Sequence, residues 1–232
     1  MNRREEIAAN LVAVRARIGA ACAAAGRAED EVSLVVVTKY FPASDVRILA
    51  DLGVTDVGEN RHQEAESKAA ECADLGLRWH FIGGLQSNKA AAVARYADVV
   101  ESVDRLKLVD GLSRGAADRG AEVDCLVQVS LDPPDAAGRS GADLLDVTAI
   151  AAAIEAAEGL RLDGVMAVAP LGAPARPAFE HLAAVAAALR ARHPAATVVS
   201  AGMSGDLEDA IACGATHVRV GSAVLGPRPP IK

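Results

Sequence analysis

Lys39 closes an apolar run, Val32-Ser33-Leu34-Val35-Val36-Val37-Thr38-Lys39. A β-branched run of that density reads as a strand buried on both faces. The lysine at its end is either a snorkelling surface group or an amine kept in a low-dielectric site, where desolvation lowers its pKa and leaves it nucleophilic. Two later segments carry residue types suited to phosphate: Ser200-Ala201-Gly202-Met203-Ser204-Gly205-Asp206 and Arg219-Val220-Gly221-Ser222. Glycines let backbone N–H groups approach an anion, small hydroxyls donate to it, and a helix starting near Asp206 or Ala223 adds its positive end. Taken singly, each segment is an ordinary turn.

Those residues need elements to position them. Short apolar runs alternate with alanine-rich helical patterns along nearly the whole chain. VSLVVVT precedes a helix over about Ser44 to Leu52, with Gly53 as its stop. Asn60 could cap the next helix, with Gln63 as its capping-box partner. RWHFIGG, DVVESV, EVDCLVQVS, LDGVMAVAP, ATVVSAGM and THVRVGSAVLG continue the strand series, each but the last followed by a helical stretch. Phe179, Leu182, Val185 and Leu189 show helical spacing, and DLEDAIACG reads as a short helix capped by Asp206 and ended by Gly214. Regular βα alternation demands a parallel sheet with right-handed crossovers. Near-eight units in 232 residues predict an α/β fold, a single (β/α)8 TIM-type barrel over an open doubly wound sheet. Residues 1–27 form an extra amphipathic helix, with Ile7, Leu11, Val14 and Ile18 on its barrel face. Residues 1–232 then make one domain. Pro133-Pro134 and the stretch from Pro170 to Pro177 read as loops within it.

In such barrels function sits at the C-terminal ends of strands, and the loops after strands seven and eight often hold a phosphate. The two glycine–serine segments fall at those two positions, and Lys39 ends strand one. An inward-facing Arg219 on strand eight could donate to a pyridine nitrogen and keep it unprotonated. A Schiff-base amine and a phosphate cradle across one barrel mouth suggest pyridoxal 5′-phosphate (PLP) or a phosphorylated carbonyl substrate.

Composition removes other classes. The formal net charge is −7 with no Lys/Arg block, so there is no electrostatic footprint for nucleic acid. The N-terminus is not a signal peptide, and no uninterrupted apolar run approaches bilayer length. Cys22, Cys72, Cys125 and Cys213 are isolated in sequence, which fits small core residues in a reduced, cytoplasmic compartment. His62, His181, His193 and His217 have no metal-ligand spacing, and His80 within WHFIG reads as a satisfied core or mouth residue. Glu59 and Glu64 read as polar-network or surface groups. No metal and no catalytic acid pair is expected.

TKYFP, VGENRHQE, WHFIGGLQSNK, ESVDR, LDGVMAVAP and SAGMSGDLEDAIACGATHVRVGSAVLG, in this order and spacing, resemble the pyridoxal phosphate homeostasis proteins. That family is related to the N-terminal barrel of alanine racemase, the fold type III PLP proteins. The resemblance runs from about Val32 to Gly226. It implies that Lys39 carries PLP as a Schiff base and that Ser204, Gly221 and Ser222 bind its phosphate, with Met203 contributing from its backbone. It further implies that Arg219 faces the pyridine nitrogen and that Asn60 lies near the ring and its hydroxyl. The chain departs from the family at Ala201, where methionine is typical, and at Ser130, where relatives often have asparagine. Its Gly138-Arg139-Ser140-Gly141 replaces a common Lys-Ser-Gly loop, and that loop stays outside the site assignment.

An arginine partner weakens PLP as an electron sink, which suits proton exchange at an amino acid Cα better than decarboxylation. Racemisation also needs a second acid/base on the opposite face of the substrate. In alanine racemase that group comes from a C-terminal β domain, which this chain is expected to lack, and neither Tyr40 nor Tyr96 is an obvious opposed base. The resemblance therefore implies a non-enzymatic cytoplasmic PLP carrier, a monomer, that keeps free PLP low and supplies PLP-dependent apo-enzymes. A racemase-like PLP enzyme and a Schiff-base aldolase without PLP stay open as alternatives.

Overall fold

The computed structural model describes residues 2–132 and 140–227. The proline pair 133–134 and residues 138–139 of the departing loop lie outside them. Eight parallel strands pair in chain order and close on themselves. They are β1 (Ser33–Val37), β2 (Asp56–Glu59), β3 (Arg78–Phe81), β4 (Val99–Val103), β5 (Val123–Gln128), β6 (Leu160–Met166), β7 (Val198–Ser200) and β8 (His217–Val220). The helices among the described residues are α1 (Arg3–Ala24), α2 (Ala43–Asp51), α3 (His62–Glu71), α4 (Ala90–Ala94), α5 (Val109–Arg119), α6 (Leu144–Ala156), α7 (Ala175–Arg192), α8 (Leu207–Ala212) and α9 (Ser222–Leu225). The closed barrel that the alternation predicts is the fold.

Side chains alternate across each strand. Val36, Val218 and Val220 join the shell between barrel and helices. Their neighbours Val35, Val37 and Arg219 therefore face the interior, with Val35 directly opposite Arg219 across the β1–β8 ladder. The interior proper holds a small apolar layer of Val99, Leu126 and Met166. Most apolar burial lies instead in the shell, where alanine and valine let helices approach the strands closely.

α1 is 22 residues long and apolar enough, by length and composition, to cross a membrane. Its stripe is spent otherwise: Ile7, Leu11, Val14 and Ile18 are buried in the shell beside α8 and α9. Each such side chain contributes roughly 2 kcal/mol through apolar burial. Polar bonds fix the register. Arg3 donates to Leu225 O at 3.0 Å, Asn10 Nδ2 to Val224 O at 3.0 Å, and Arg17 to Ser204 O at 3.0 Å. α1 thus ties down the segments that follow both β7 and β8.

The cysteines behave as the sequence suggests. Cys22, Cys72 and Cys125 are buried free thiols and Cys213 is half-buried.

One glycine sets the approach of β7. Gly164 in β6 has φ +155°, and a Cβ placed there would lie 1.9 Å from Val198 O. Gly164→Ala should therefore destabilise the barrel by about 3 kcal/mol or more through strain and overpacking. A urea unfolding midpoint indistinguishable from wild type would show that β6 and β7 do not depend on this contact.

Candidate functional site

The chain leaves β1 through a turn, Thr38-Lys39-Tyr40-Phe41, closed by the Phe41 N–H donating to Thr38 O at 3.0 Å. Tyr40, its third residue, has φ +72°. That is the left-handed region, which costs a bulky residue about 1–2 kcal/mol. The strain is held from outside the barrel. The Tyr40 N–H donates to Glu64 Oε1 at 2.5 Å, and buried Lys68 of α3 donates to Thr38 O at 2.8 Å. Lys68 also reaches Glu59 Oε1 at 2.6 Å and Glu64 Oε1 at 2.7 Å, so all three ammonium protons are committed. Thr38 Oγ1 donates to Glu59 Oε1 at 2.6 Å. Burial pushes the Glu59 carboxyl up against the pull of Lys68. Glu59 and Glu64 thus form the polar network read for them, with Lys68 at its centre. This clamp lies between α3 and the barrel wall, while Lys39 lies on the inner side.

Lys39 lines a cavity of about 260 Å³ at the barrel mouth, together with Met203, Ser204, Arg219, Gly221 and Ser222. Val37, Phe41, Ile82 and Gly205 complete its wall. Six of the seven residues singled out in the sequence therefore share one cavity. Asn60 does not line it. Asn60 is half-buried just beyond β2, and its carbonyl lies so close to Gly83 that a Cβ there would sit 2.1 Å away. Asn60 is not a helix cap either: α3 begins at His62, with Arg61 at the cap position and no side-chain bond, so Gln63 has no capping-box role.

The loop after β7 has a fixed shape. Gly202 has φ +91°, and a Cβ there would meet Ala210 Cβ at 2.6 Å. Its carbonyl accepts from the Arg219 N–H at 2.9 Å, which couples this loop to β8. Asp206 stands at the cap position of α8, but its carboxylate accepts from the Met203 N–H at 2.6 Å instead of capping the helix. The Met203 amide is therefore committed within the loop, and Ser204, Gly205, Gly221 and Ser222 remain on the cavity wall with it. The N–H groups of Ser222 and Ala223 open α9, where a helix has no internal acceptors.

Arg219 is 4% exposed. It donates to Ser200 Oγ at 2.6 Å and to Ala167 O at 2.8 Å, and its guanidinium lies 3.6 Å from Glu101. Glu101, 0% exposed on β4, accepts from Ser200 Oγ at 2.6 Å and lies 2.8 Å from His80 Nδ1. Burial opposes its charge, but His80, Arg219 and Ser200 together hold its carboxyl down at about 2. Sequence reasoning missed Glu101, Ser200 and Lys68. The available signal was a glutamate at an inward position of an otherwise apolar strand, DVVESV.

A second cavity of about 440 Å³ lies at the opposite end, by the starts of β1 and β2, among Arg15, Glu29, Asp30, Thr55 and Asp56. In barrels that end serves stability, whereas chemistry collects at the mouth. Among the described residues no group of His, Cys, Asp and Glu could hold a metal ion.

A sequence model of the alanine racemase N-terminal domain matches residues 5–229. The pyridoxal phosphate homeostasis protein of Mycobacterium tuberculosis is 42% identical over 246 residues, covering 98% of this chain and 95% of that one. The protein of the same name from Corynebacterium glutamicum is 44% identical over 223 residues, covering 93% and 99%. Among solved structures, PipY of Synechococcus elongatus with PLP bound superposes with a TM-score of 0.82 at 34% identity, over 95% of this chain and all of PipY.

Two measurements follow from the geometry. Lys68→Ala leaves Glu59 buried without its counter-charge and should cost about 3–5 kcal/mol of stability; a loss below 1 kcal/mol in urea unfolding would mean the clamp is solvent-screened. Glu101 is held below its ordinary value of 4.5, so its contribution is present above that pH and is lost as pH falls towards about 2. The melting temperature of Glu101→Gln should therefore converge on wild type across that acidic window, and parallel curves would refute the assignment.

Proposed function

The chain belongs to the alanine racemase N-terminal domain family and, within it, to the pyridoxal phosphate homeostasis proteins, and from that premise we propose that it holds pyridoxal 5′-phosphate at the barrel mouth. One observation carries this reading. Lys39, Ser204, Gly221, Ser222 and Arg219, drawn from three strand ends, line a single cavity. The donor set fits the group. An amine suits an aldehyde, hydroxyls and glycine amides suit a phosphate, and a guanidinium suits a ring nitrogen that stays unprotonated.

When bound, PLP supplies a reactive aldehyde and an electron-withdrawing ring. The chain's own residues do the rest. Lys39 would supply the amine that meets the aldehyde. Ser204 and Ser222 would hold the phosphate, and Val37 and Ile82 are the apolar part of the same cavity wall. Arg219, fixed by Ser200 and Ala167, would donate to the ring nitrogen. The strained Tyr40 turn and the Lys68 clamp keep the amine in place.

The reading is of a carrier. The curated relatives are named for homeostasis and not for a reaction. Among the described residues Tyr96 is not placed as an opposed base: it stacks on His62 at 5.9 Å, in the shell outside the barrel, with its hydroxyl buried. Burial, with Glu66 and Glu59 nearby, pushes that hydroxyl above the ordinary tyrosine range. The chain works as one cytoplasmic domain and a monomer, and it releases PLP to apo-enzymes.

Visible absorption with PLP, before and after borohydride, tests this reading in wild type and Lys39→Ala. A band that borohydride fixes covalently in wild type alone is the expected outcome. A band of equal strength in Lys39→Ala would move the anchor elsewhere, and no band in wild type would end the PLP reading.

A further inference from the structure

Below Arg219 a single hydrogen-bonded chain crosses the barrel interior. Arg219 Nη1 donates to Ser200 Oγ, whose own proton goes to Glu101 Oε2. Glu101 Oε1 lies 2.8 Å from His80 Nδ1, and His80 Nε2 lies 3.0 Å from Asp56 Oδ1. The donor directions are forced. A guanidinium can only donate, so the serine accepts from it and donates onward. Despite its burial, Glu101 is held down at about 2 by His80, Arg219 and Ser200, so it is ionised and accepts at both oxygens. With carboxylates on both of its nitrogens, His80 donates twice and is an imidazolium. Burial would lower the His80 pKa, but the bonds and charges of Asp56 and Glu101 outweigh it and raise it.

The set balances as two anions, Asp56 and Glu101, and two cations, His80 and Arg219. A buried group of charges is tolerated in that balanced form. Around His80 also stand Arg78 of its own strand, paired with Asp124 of β5, together with Asp163 of β6 and His217 of β8, whose ring centroid is 6.3 Å away. Burial lowers the His217 pKa, so it adds no competing charge near neutrality.

The two ends of the chain open onto different places. Arg219 lines the mouth cavity with Lys39, and Asp56 lines the cavity at the opposite end, its side chain 16% exposed. Protons can thus reach His80 from the far end without passing the mouth. When His80 is charged, it shares the negative charge of Glu101 with Arg219. When His80 loses its proton, Glu101 neutralises Arg219 alone.

We propose that Glu101, Ser200 and His80 are positioning residues for the mouth site: they hold Arg219 as a fixed donor, and the proton on His80, exchanged through Asp56, sets how strongly Arg219 acts on a ring nitrogen above it. This rests on the PLP reading of the mouth. Raising the pH through the His80 titration leaves Glu101 to Arg219 alone and tightens the hold, and removing Ser200 takes away the hydrogen-bonded link without removing a charge, leaving only the 3.6 Å contact between Arg219 and Glu101.

The test compares wild type, Ser200→Ala and His80→Asn, each confirmed folded by circular dichroism. Nitrogen-15 NMR of the histidine rings, without PLP, locates the His80 titration in wild type and Ser200→Ala. PLP titrations from pH 6 to 9 then read the dissociation constant and the absorption band. Wild type should show an inflection in both at the pH where His80 titrates. Ser200→Ala should bind PLP about tenfold more weakly and show a smaller inflection, carried only by the 3.6 Å contact of Arg219 with Glu101, while His80 still titrates. His80→Asn should lose the inflection; should that variant fail to fold, Ser200→Ala carries the test. The same inflection and affinity in Ser200→Ala as in wild type would overturn the relay. A wild type that takes up no PLP would overturn the mouth reading instead.

Discussion

A guanidinium 4% exposed inside a barrel constrains everything around it. Arg219 cannot shed its charge, so the interior must supply acceptors and a counter-ion. Ser200, Ala167 and Glu101 do so from β7, the end of β6 and β4. Glu101 then needs a second partner, which brings in His80 and, behind it, Asp56. Six strands are thereby bound to one another by the requirement of a single side chain. The apolar layer that fills many barrels shrinks here to a few residues, and hydrophobic stabilisation is displaced to the shell under the helices.

The Lys68 clamp and the Arg219 chain solve the same problem on opposite sides of the barrel wall. Each fixes a cationic side chain through hydrogen bonds to buried acceptors. Lys68 gives one donor to the turn that carries Lys39 and two to Glu59 and Glu64, which themselves accept from Thr38 and Tyr40, so a strained Tyr40 persists without glycine. Arg219 spends two donors downward and the remainder is available to the mouth. The amine and the guanidinium that face the cavity are therefore held by networks that do not themselves occupy it. Exchange of a ligand at the mouth need not disturb either support.

The sequence made the barrel legible because burial imposes periods that survive in a single chain: β-branched runs of strand length, then alanine-rich helical spacing. Lys39, Ser204 and Arg219 were legible for a related reason, since a barrel's mouth is defined by strand ends and strand ends are local. Partnerships between strands were not. Glu101 meets Ser200 across 99 positions and His80 across 21, and only closure of the sheet makes them neighbours. Local capping rules misled at Asn60 and Asp206. The turn after β2 sets the start of α3 at His62, and Asp206 bonds to Met203 in its own loop. Glu64 and Lys68, four residues apart, look like an exposed helical pair, yet the barrel wall buries Lys68 and half-buries Glu64.

The bonds from α1 to Ser204, Val224 and Leu225 join residues 187 to 222 positions apart. During synthesis the first helix is therefore made long before the loops it braces. At 5–20 residues per second the gap is roughly 10–40 s. A nascent chain over that interval carries Lys39 but no finished cradle, and contacts this distant in sequence also form slowly. The mouth cavity is thus complete only in chains that have emerged almost fully from the ribosome, and a stalled or truncated product would carry Lys39 without the segments that wall it in.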